Sequence, residues 1–340
     1  MQMRRLGKNG PLVSTLGLGC MGMSGMYGHA EERESIATIH AALDAGINLF
    51  DTGDFYGMGH NELLLQKALA GQPRERFFIC VKFGGMRGPS GAFIGLDARP
   101  VAVKNFLAYT LKRLGTDYVD LYQPARVDPS VPIDDTVGAI SEMVKAGYVR
   151  HIGLSEASSE TIRRAHAVHP IVALQIEYSL ISRSVEAGIL PTLRELGISM
   201  TAYGVFSRGL LTGHVPSRDS SFEGDIRGHF PRFQGQNLER NQQIISRLQE
   251  LARKKGVSVA QLALGWILTK GNDIVPLPGA RRREQLTESL ECLKLSFSAD
   301  EIDAMERAVP EGSVAGDRYA AEQMSVLDSE RKASASKSAH

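Results

Sequence analysis

The sequence predicts an α/β fold, a (β/α)8 TIM barrel with an N-terminal β-hairpin and an extra C-terminal helix, and three observations lead there. Short apolar, β-branched runs alternate with amphipathic stretches of helical period along most of the chain. The alternation repeats eight times, which favours a closed barrel over an open doubly wound sheet. Reactive side chains then fall where the apolar runs end, and that is the face on which such a barrel builds its sites.

Each element has a local reason. Residues 3–6 and 11–13 flank a Gly-containing turn at 7–10, as expected for a small hairpin plugging the barrel floor. A first strand over 16–18 precedes a helix over 32–45 that stops at Gly46. Strand 49–51 and helix 61–70 follow, then strand 77–82 and helix 101–114, with Gly71 and Gly115 as stops. Strand 119–123 leads to helix 133–146, closed by Gly147. Strands 149–154, 173–177 and 199–203 alternate with helices 159–168 and 189–196. Helices over 241–254 and 259–268 come before the last strand, 274–277, and its helix, 283–290. The runs are apolar throughout, as parallel strands covered on both faces should be. Residues 299–308 read as one more helix. Two long connections, 83–99 and 204–236, fall on the side of the strand C-termini, where lids and binding loops belong.

Composition narrows the class. With 43% hydrophobic and 23% charged residues, the 340-residue chain can bury a full core, which fits one domain over 1–328. A tail at 329–340, rich in Ser, Ala and Lys, is expected to be disordered. A net charge of +1 gives no field that favours nucleic acid, and no apolar run reaches the length of a membrane span. The start of the chain is polar and basic, unlike a secretory signal, and Cys20, Cys80 and Cys292 are few, odd and scattered. A reduced cytoplasmic protein is expected. His166 and His169 lie on one helix without a nearby carboxylate or thiol cluster, so no metal site is expected.

One motif misleads. Gly17-Leu18-Gly19-Cys20-Met21-Gly22 matches GxGxxG, and Asp51 imitates the acid that grips a ribose. That fingerprint needs a helix to open at once beneath the pyrophosphate, whereas Ser24, Gly25 and Gly28 continue an irregular loop. A barrel strand with close-packed glycines is the better reading.

The strand ends carry the chemistry. Asp51 ends the second run and Lys82 the third; Ser155 and Glu156 follow the fifth. Gln175 lies in the sixth, Tyr203 ends the seventh, and Pro278-Gly279-Ala280-Arg281 follows the eighth. Singly, each has a bland explanation as a turn cap or a solvated side chain. Together they converge on one rim.

These segments resemble the aldo-keto reductases. Asp51-Thr52-Gly53-Asp54-Phe55-Tyr56-Gly57 is similar to the family's DTAxxYG segment, and Asn61-Glu62 to its helix start. Val81-Lys82-Phe83, Gly153-Leu154-Ser155-Glu156, Gln175-Ile176-Glu177-Tyr178, the stretch 202–213 and Pro276-Leu277-Pro278-Gly279-Ala280-Arg281 match further segments in order, over roughly residues 3–310. The resemblance implies NADPH-dependent reduction of an aldehyde or ketone, reversible in principle, with a small-molecule carbonyl substrate. It implies Tyr56 as proton donor, Lys82 as the cation that lowers its pKa, and Asp51 as the partner of that lysine. It places Ser155 and Gln175 on the nicotinamide carboxamide, Tyr203 on the ring, and Arg208, Leu210 and Gly213 over the pyrophosphate. Gly279 and Arg281 would meet the adenosine phosphate, with Gln285 and Glu288 near the adenine. A guanidinium such as Arg281 suits NADPH/NADP+ over NADH.

The chain departs from the family at three positions: Glu156 replaces an Asn, Ser289 replaces an Asn, and Ala125 stands where a His usually ends the fourth strand. An alanine donates no hydrogen bond to the carbonyl oxygen. Either Tyr56 works alone, with room for a bulkier substrate, or Arg126 or a loop residue supplies the donor. A third reading is an NADP(H)-sensing binding protein with little or no turnover.

Overall fold

The computed structural model describes residues 1–213 and 225–331. Eight parallel strands form one curled sheet: β3 (Leu18–Gly19), β4 (Leu49–Gly53), β5 (Phe78–Phe83), β8 (Val119–Pro124), β9 (Val149–Ser155), β10 (Ile171–Glu177), β11 (Ser199–Tyr203) and β12 (Ile274–Pro276), hydrogen-bonded in that order. The ends meet. Gly17 N donates to Pro276 O and Gly19 N to Pro278 O, both at 3.0 Å, and Gly19 bridges Gly279 in parallel. The (β/α)8 barrel is therefore closed, as the repeat count requires. The first strand is shorter than expected, Leu18–Gly19, and Gly17 before it is packed tightly between side chains of the two neighbouring strand segments. A Cβ there would lie 2.5 Å from Leu49 Cδ2 and 2.6 Å from Leu277 Cδ2.

Strand alternation sorts every residue inward or outward. Leu49, Phe78, Cys80, Leu121, Ala173 and Val275 point in and fill the barrel with Leu6 and Val13. Those last two come from an antiparallel hairpin, β1 (Met3–Arg5) and β2 (Leu12–Ser14), which closes the floor as the sequence predicts. Phe50, Ile79, Val81, Tyr122, Ile152, Leu154, Leu174 and Ile176 point out and pack under the helices. The same alternation continued toward the C-terminal ends sends polar side chains inward above this plug.

The covering helices are α1 (Glu32–Asp44), α2 (His60–Leu69), α3 (Pro100–Leu114), α4 (Ile133–Lys145), α5 (Ser159–Val168), α6 (Ile189–Leu196), α7 (Gly235–Lys255), α8 (Val259–Thr269) and α9 (Arg283–Glu291). After them come α10 (Ala299–Ala308) and the short α11 (Ala321–Ser325). Capping boxes at Ser258 and Ser298 fix the starts of α8 and α10. The helix after the GxGxxG-like stretch begins only at Glu32, so that motif belongs to the barrel.

Two loop expectations change. The 83–99 connection contains a hairpin, β6 (Gly85–Arg87) with β7 (Phe93–Leu96), turned through a Gly88 N to Ala92 O bond of 2.9 Å. Of the 204–236 connection, residues 214–224 lie outside the described residues. Helix α7 starts six residues earlier than expected, at Gly235, because a polar first turn carries no apolar period to announce it. The expected tail also begins too early. Ser329 and Glu330 are tied to the barrel mouth, and residues 332–340 lie outside the described residues.

Candidate active site

Asp51 on β4 and Lys82 on β5 point into the barrel from neighbouring strands, and the Lys82 ammonium donates to Asp51 Oδ1. Both are buried, at 4% and 5% exposure, as an ion pair must be to keep its charges where little water enters. The second carboxylate oxygen accepts from Gln175 Nε2 on β10 at 2.6 Å. Tyr56 follows β4, its backbone turning at once through left-handed Gly57 and Met58. That turn presents the ring to Lys82, whose Nζ lies 5.2 Å from the ring centroid. Asn61 fixes the same corner: it accepts from Thr52 Oγ1 at 2.6 Å and donates to Cys20 O at 2.9 Å.

The acidity of Tyr56 differs from the sequence expectation. Burial pushes its phenol up to about 12, and the Lys82 charge, which favours the phenolate, only partly offsets this. Nearby Asp51 works in the same direction as burial. The sequence predicts a value lowered by Lys82, and Lys82 does act in that direction; desolvation, which the sequence does not display, outweighs it. The phenol is thus fully protonated near neutrality and carries a proton to give.

Among the buried side-chain polar atoms without a hydrogen-bond partner in the described residues, Ser155 Oγ, at the end of β9, and Gln175 Oε1 belong to register partners on neighbouring strands. A buried polar atom left without a partner is available to a ligand. A hydroxyl beside an amide oxygen complements a primary carboxamide, so these residues fit a nicotinamide ring. Tyr203 ends β11 close by, and its hydroxyl donates to Glu156 Oε1 at 2.7 Å.

The sequence places Glu156 on the rim but does not reveal its partners, Arg318 and Ser329. Glu156, fully buried and left-handed in backbone (φ 53), receives Arg318 through both Nη1 (2.9 Å) and Nη2 (2.5 Å) and Ser329 Oγ at 2.5 Å. Arg318 also donates to Glu330 Oε1 at 2.9 Å. Asp328 Oδ2 accepts from Ser158 N at 2.7 Å, at the start of α5. Residues 318–330 therefore strap the C-terminal segment across the strand ends. Burial alone would raise the Glu156 carboxyl, but Arg318 reverses that and holds it far below the usual range. Glu177 follows the same logic: burial raises it, while Arg208, Arg318 and Arg232 hold it at about 2.

Arg208, expected over a pyrophosphate, is committed to Glu177 Oε2 at 2.9 Å and stacks on Phe230 and Tyr319. Leu210 is buried and Gly213 half-buried, its φ of 78° ending the turn. Arg281, expected at the adenosine phosphate, instead donates through Nη1 to Tyr27 O (2.9 Å) and His29 O (3.0 Å). Its backbone N donates to Gln285 Oε1 at 3.1 Å. Arg283 pairs with Glu34. Arg282 between them is exposed and, among the described residues, has no ion-pair partner. It lines a surface cavity of about 720 Å³ with Glu34, Gln261, Arg283, Thr287 and Glu288. Gly279 remains open on its Cβ side, the nearest atom being Gly19 O at 3.8 Å. No group of three or more metal-ligating side chains occurs among the described residues.

Comparison with known proteins agrees with this arrangement. The profile of the "Aldo/keto reductase family" matches residues 15–310. A Glycine max protein named "Probable aldo-keto reductase 1" is 44% identical over 317 residues, covering 93% of this chain and 91% of its own. Among solved structures, the glycerol dehydrogenase of Gluconobacter oxydans superposes with a TM-score of 0.80 at 31% identity, over 91% of this chain and 96% of that one. An aldo-keto reductase of Bacillus halodurans, solved in its holo form, gives 0.74 at 25% identity, over 97% and 100%.

Proposed function

The chain belongs to the aldo/keto reductase family, and from that premise we propose that it is an NADPH-dependent reductase of an aldehyde or ketone, reversible as an alcohol dehydrogenase. The observation that carries this reading is the buried Asp51–Lys82 pair beside a protonated Tyr56, set next to the orphaned Ser155 and Gln175. When bound, the cofactor supplies the hydride to the carbonyl carbon. Tyr56 then gives its proton to the carbonyl oxygen as negative charge develops there. Lys82 holds positive charge beside the phenolate that remains, and Asp51 keeps Lys82 charged and oriented. Gln175, clamped to Asp51 through its amide nitrogen, turns its oxygen toward the carboxamide, with Ser155 Oγ as the second contact. Tyr203 gives the ring a flat neighbour.

At the adenosine end the geometry favours Arg282 for the phosphate that separates NADPH from NADH. Arg281 spends its Nη1 on backbone carbonyls and has its backbone N held by Gln285, Glu288 lines the cavity beside Arg282, and Gly279 stays open on its Cβ side. Leu210 and Gly213 offer main chain to the pyrophosphate, and Arg208 stiffens that turn through Glu177. The free, buried cysteines are in keeping with a reducing, cytoplasmic setting.

The test is NADPH oxidation by purified protein over a panel of carbonyl compounds, with Tyr56→Phe as control. A second reading, an NADP(H) sensor, draws on Ala125, which leaves the fourth strand end without a side-chain donor. Tight cofactor binding with no turnover across the panel would establish that reading instead.

A further inference from the structure

Four arginines gather at the barrel mouth, and three of them are matched by acids. Arg318 is held by Glu156 and Glu330, while Arg208 and Arg232 share Glu177. Arg126, on the first turn after β8, is different. Its Nη1 donates to Ala125 O at 2.6 Å and its Nη2 to Tyr319 OH at 3.1 Å, both neutral acceptors. Among the described residues no carboxylate lies within ion-pairing distance of it, and its side chain is half-buried. The Glu156 carboxylate acts on it only from beyond contact distance, and the guanidinium keeps its charge at any physiological pH. Its planar fork also has donors to spare for a bidentate partner.

The location tells which anion this is. Arg126 follows the residue, Ala125, whose strand end lies beside β5; Ala125 N donates to Phe83 O at 2.8 Å, one residue beyond Lys82. Its charge reaches Tyr56, where it favours the phenolate. Tyr319 braces it from the C-terminal strap, with the Arg126 carbon 5.6 Å from the ring centroid and the Tyr319 hydroxyl 2.8 Å from that of Tyr203. The arginines at the adenosine end follow β12, at another part of the rim. Arg126 therefore lies on the β8 side of the rim, with Tyr56 within reach of its charge, and away from the arginines that follow β12.

We propose that Arg126 receives an anionic group on the substrate, so that the preferred substrates are aldehydes or ketones bearing a carboxylate or phosphate near the carbonyl. This rests on the reductase reading above and names its substrate class. The unmatched charge at the mouth is completed by the substrate, and the small Ala125 leaves space beside the fork. Tyr319 acts as a positioning residue, holding the guanidinium toward the site.

Full-length protein with NADPH is assayed on matched pairs: butanal against succinate semialdehyde, benzaldehyde against para-carboxybenzaldehyde, and glyceraldehyde against glyceraldehyde phosphate. The anionic member should win by about tenfold in kcat/KM, mostly through KM, since a charge-assisted bidentate contact is worth at least a decade of affinity. Arg126→Gln should bring the ratio near one, and Arg126→Lys should retain part of it, with thermal melting confirming that both variants fold. Preference for the phosphorylated aldehyde alone identifies phosphate as the group read; preference for the carboxylates identifies carboxylate. A wild-type ratio near one, or equal loss on both members of every pair in Arg126→Gln, overturns the proposal while leaving the reductase reading intact. Absence of turnover on every compound overturns the reductase reading, and calorimetry of benzoate binding to NADP+-loaded protein then decides the arginine's role. Binding that disappears in Arg126→Gln upholds an anion site; no binding, or equal binding in both proteins, ends it.

Discussion

At the scale of single residues, the chemistry turns on which groups hold protons and which hold charge. Tyr56 is a phenol raised to about 12 by burial, with Lys82 opposing. Removing its hydroxyl removes the acid and leaves the ring packing, so Tyr56→Phe should lower kcat by about 10² to 10⁴. Cofactor affinity, read by fluorescence titration, should stay nearly constant. Among the described residues, Arg282 alone of three consecutive arginines has no hydrogen-bond or ion-pair partner that would compete for a phosphate. Arg282→Ser should therefore raise KM for NADPH by roughly tenfold or more, the scale of one charge-assisted contact, and leave KM for NADH within a factor of about two. An equal effect on both cofactors would assign the phosphate to another side chain. Neither distinction is visible in the sequence, where Arg281, Arg282 and Arg283 look interchangeable.

At the scale of elements, two buried charge clusters tie segments together. The first lies between β4, α2 and α3, where Arg113 pairs with Glu62 and the buried Asp54 sits close by. Burial, reinforced by Glu62, raises Asp54 from its ordinary 3.8 to about 8. Between those values the folded chain keeps the proton and the unfolded chain has lost it, so folding binds a proton. Stability from this group is highest below about pH 4 and falls as pH rises toward about 8. Asp54→Asn should flatten that part of the melting-temperature profile, and an unchanged slope would place the titration elsewhere. The second cluster is the C-terminal strap. Arg318→Met would leave Glu156 as a buried charge without its main partner, at a cost of about 3 to 5 kcal/mol. Limited proteolysis should then cut the segment 313–331 at lower protease concentration. Glu156→Gln in the same chain should restore much of the protection, because the stranded charge is gone.

At the scale of the whole molecule, the barrel is a closed sheet whose lower half is an apolar plug and whose upper half is polar. Leu6 is fully buried in that plug, contributed by a hairpin outside the barrel repeat. Leu6→Ala should destabilise the fold by about 2 to 5 kcal/mol through lost contacts and a cavity, measured by denaturant titration. Turnover per folded molecule should change little, because the plug supports the site from below without touching it. The repeat, the floor hairpin and the rim position of Asp51, Lys82, Ser155, Gln175 and Tyr203 were legible in the sequence. All follow from local period and chain order, which fix where a strand ends and which way its side chains face. The β6–β7 hairpin, the pairing of Arg318 with Glu156 across 162 positions, and the idle Arg126 were not legible. Ion pairing and burial depend on which distant segments meet, and no periodicity records that. The chain's own pattern thus determined the scaffold and these rim positions, and the family resemblance added Tyr56 beside them. Only the folded arrangement decided how acidic the phenol is, which arginines are spent on internal carboxylates and which are left over, since desolvation and Coulomb energy are set by neighbours in space.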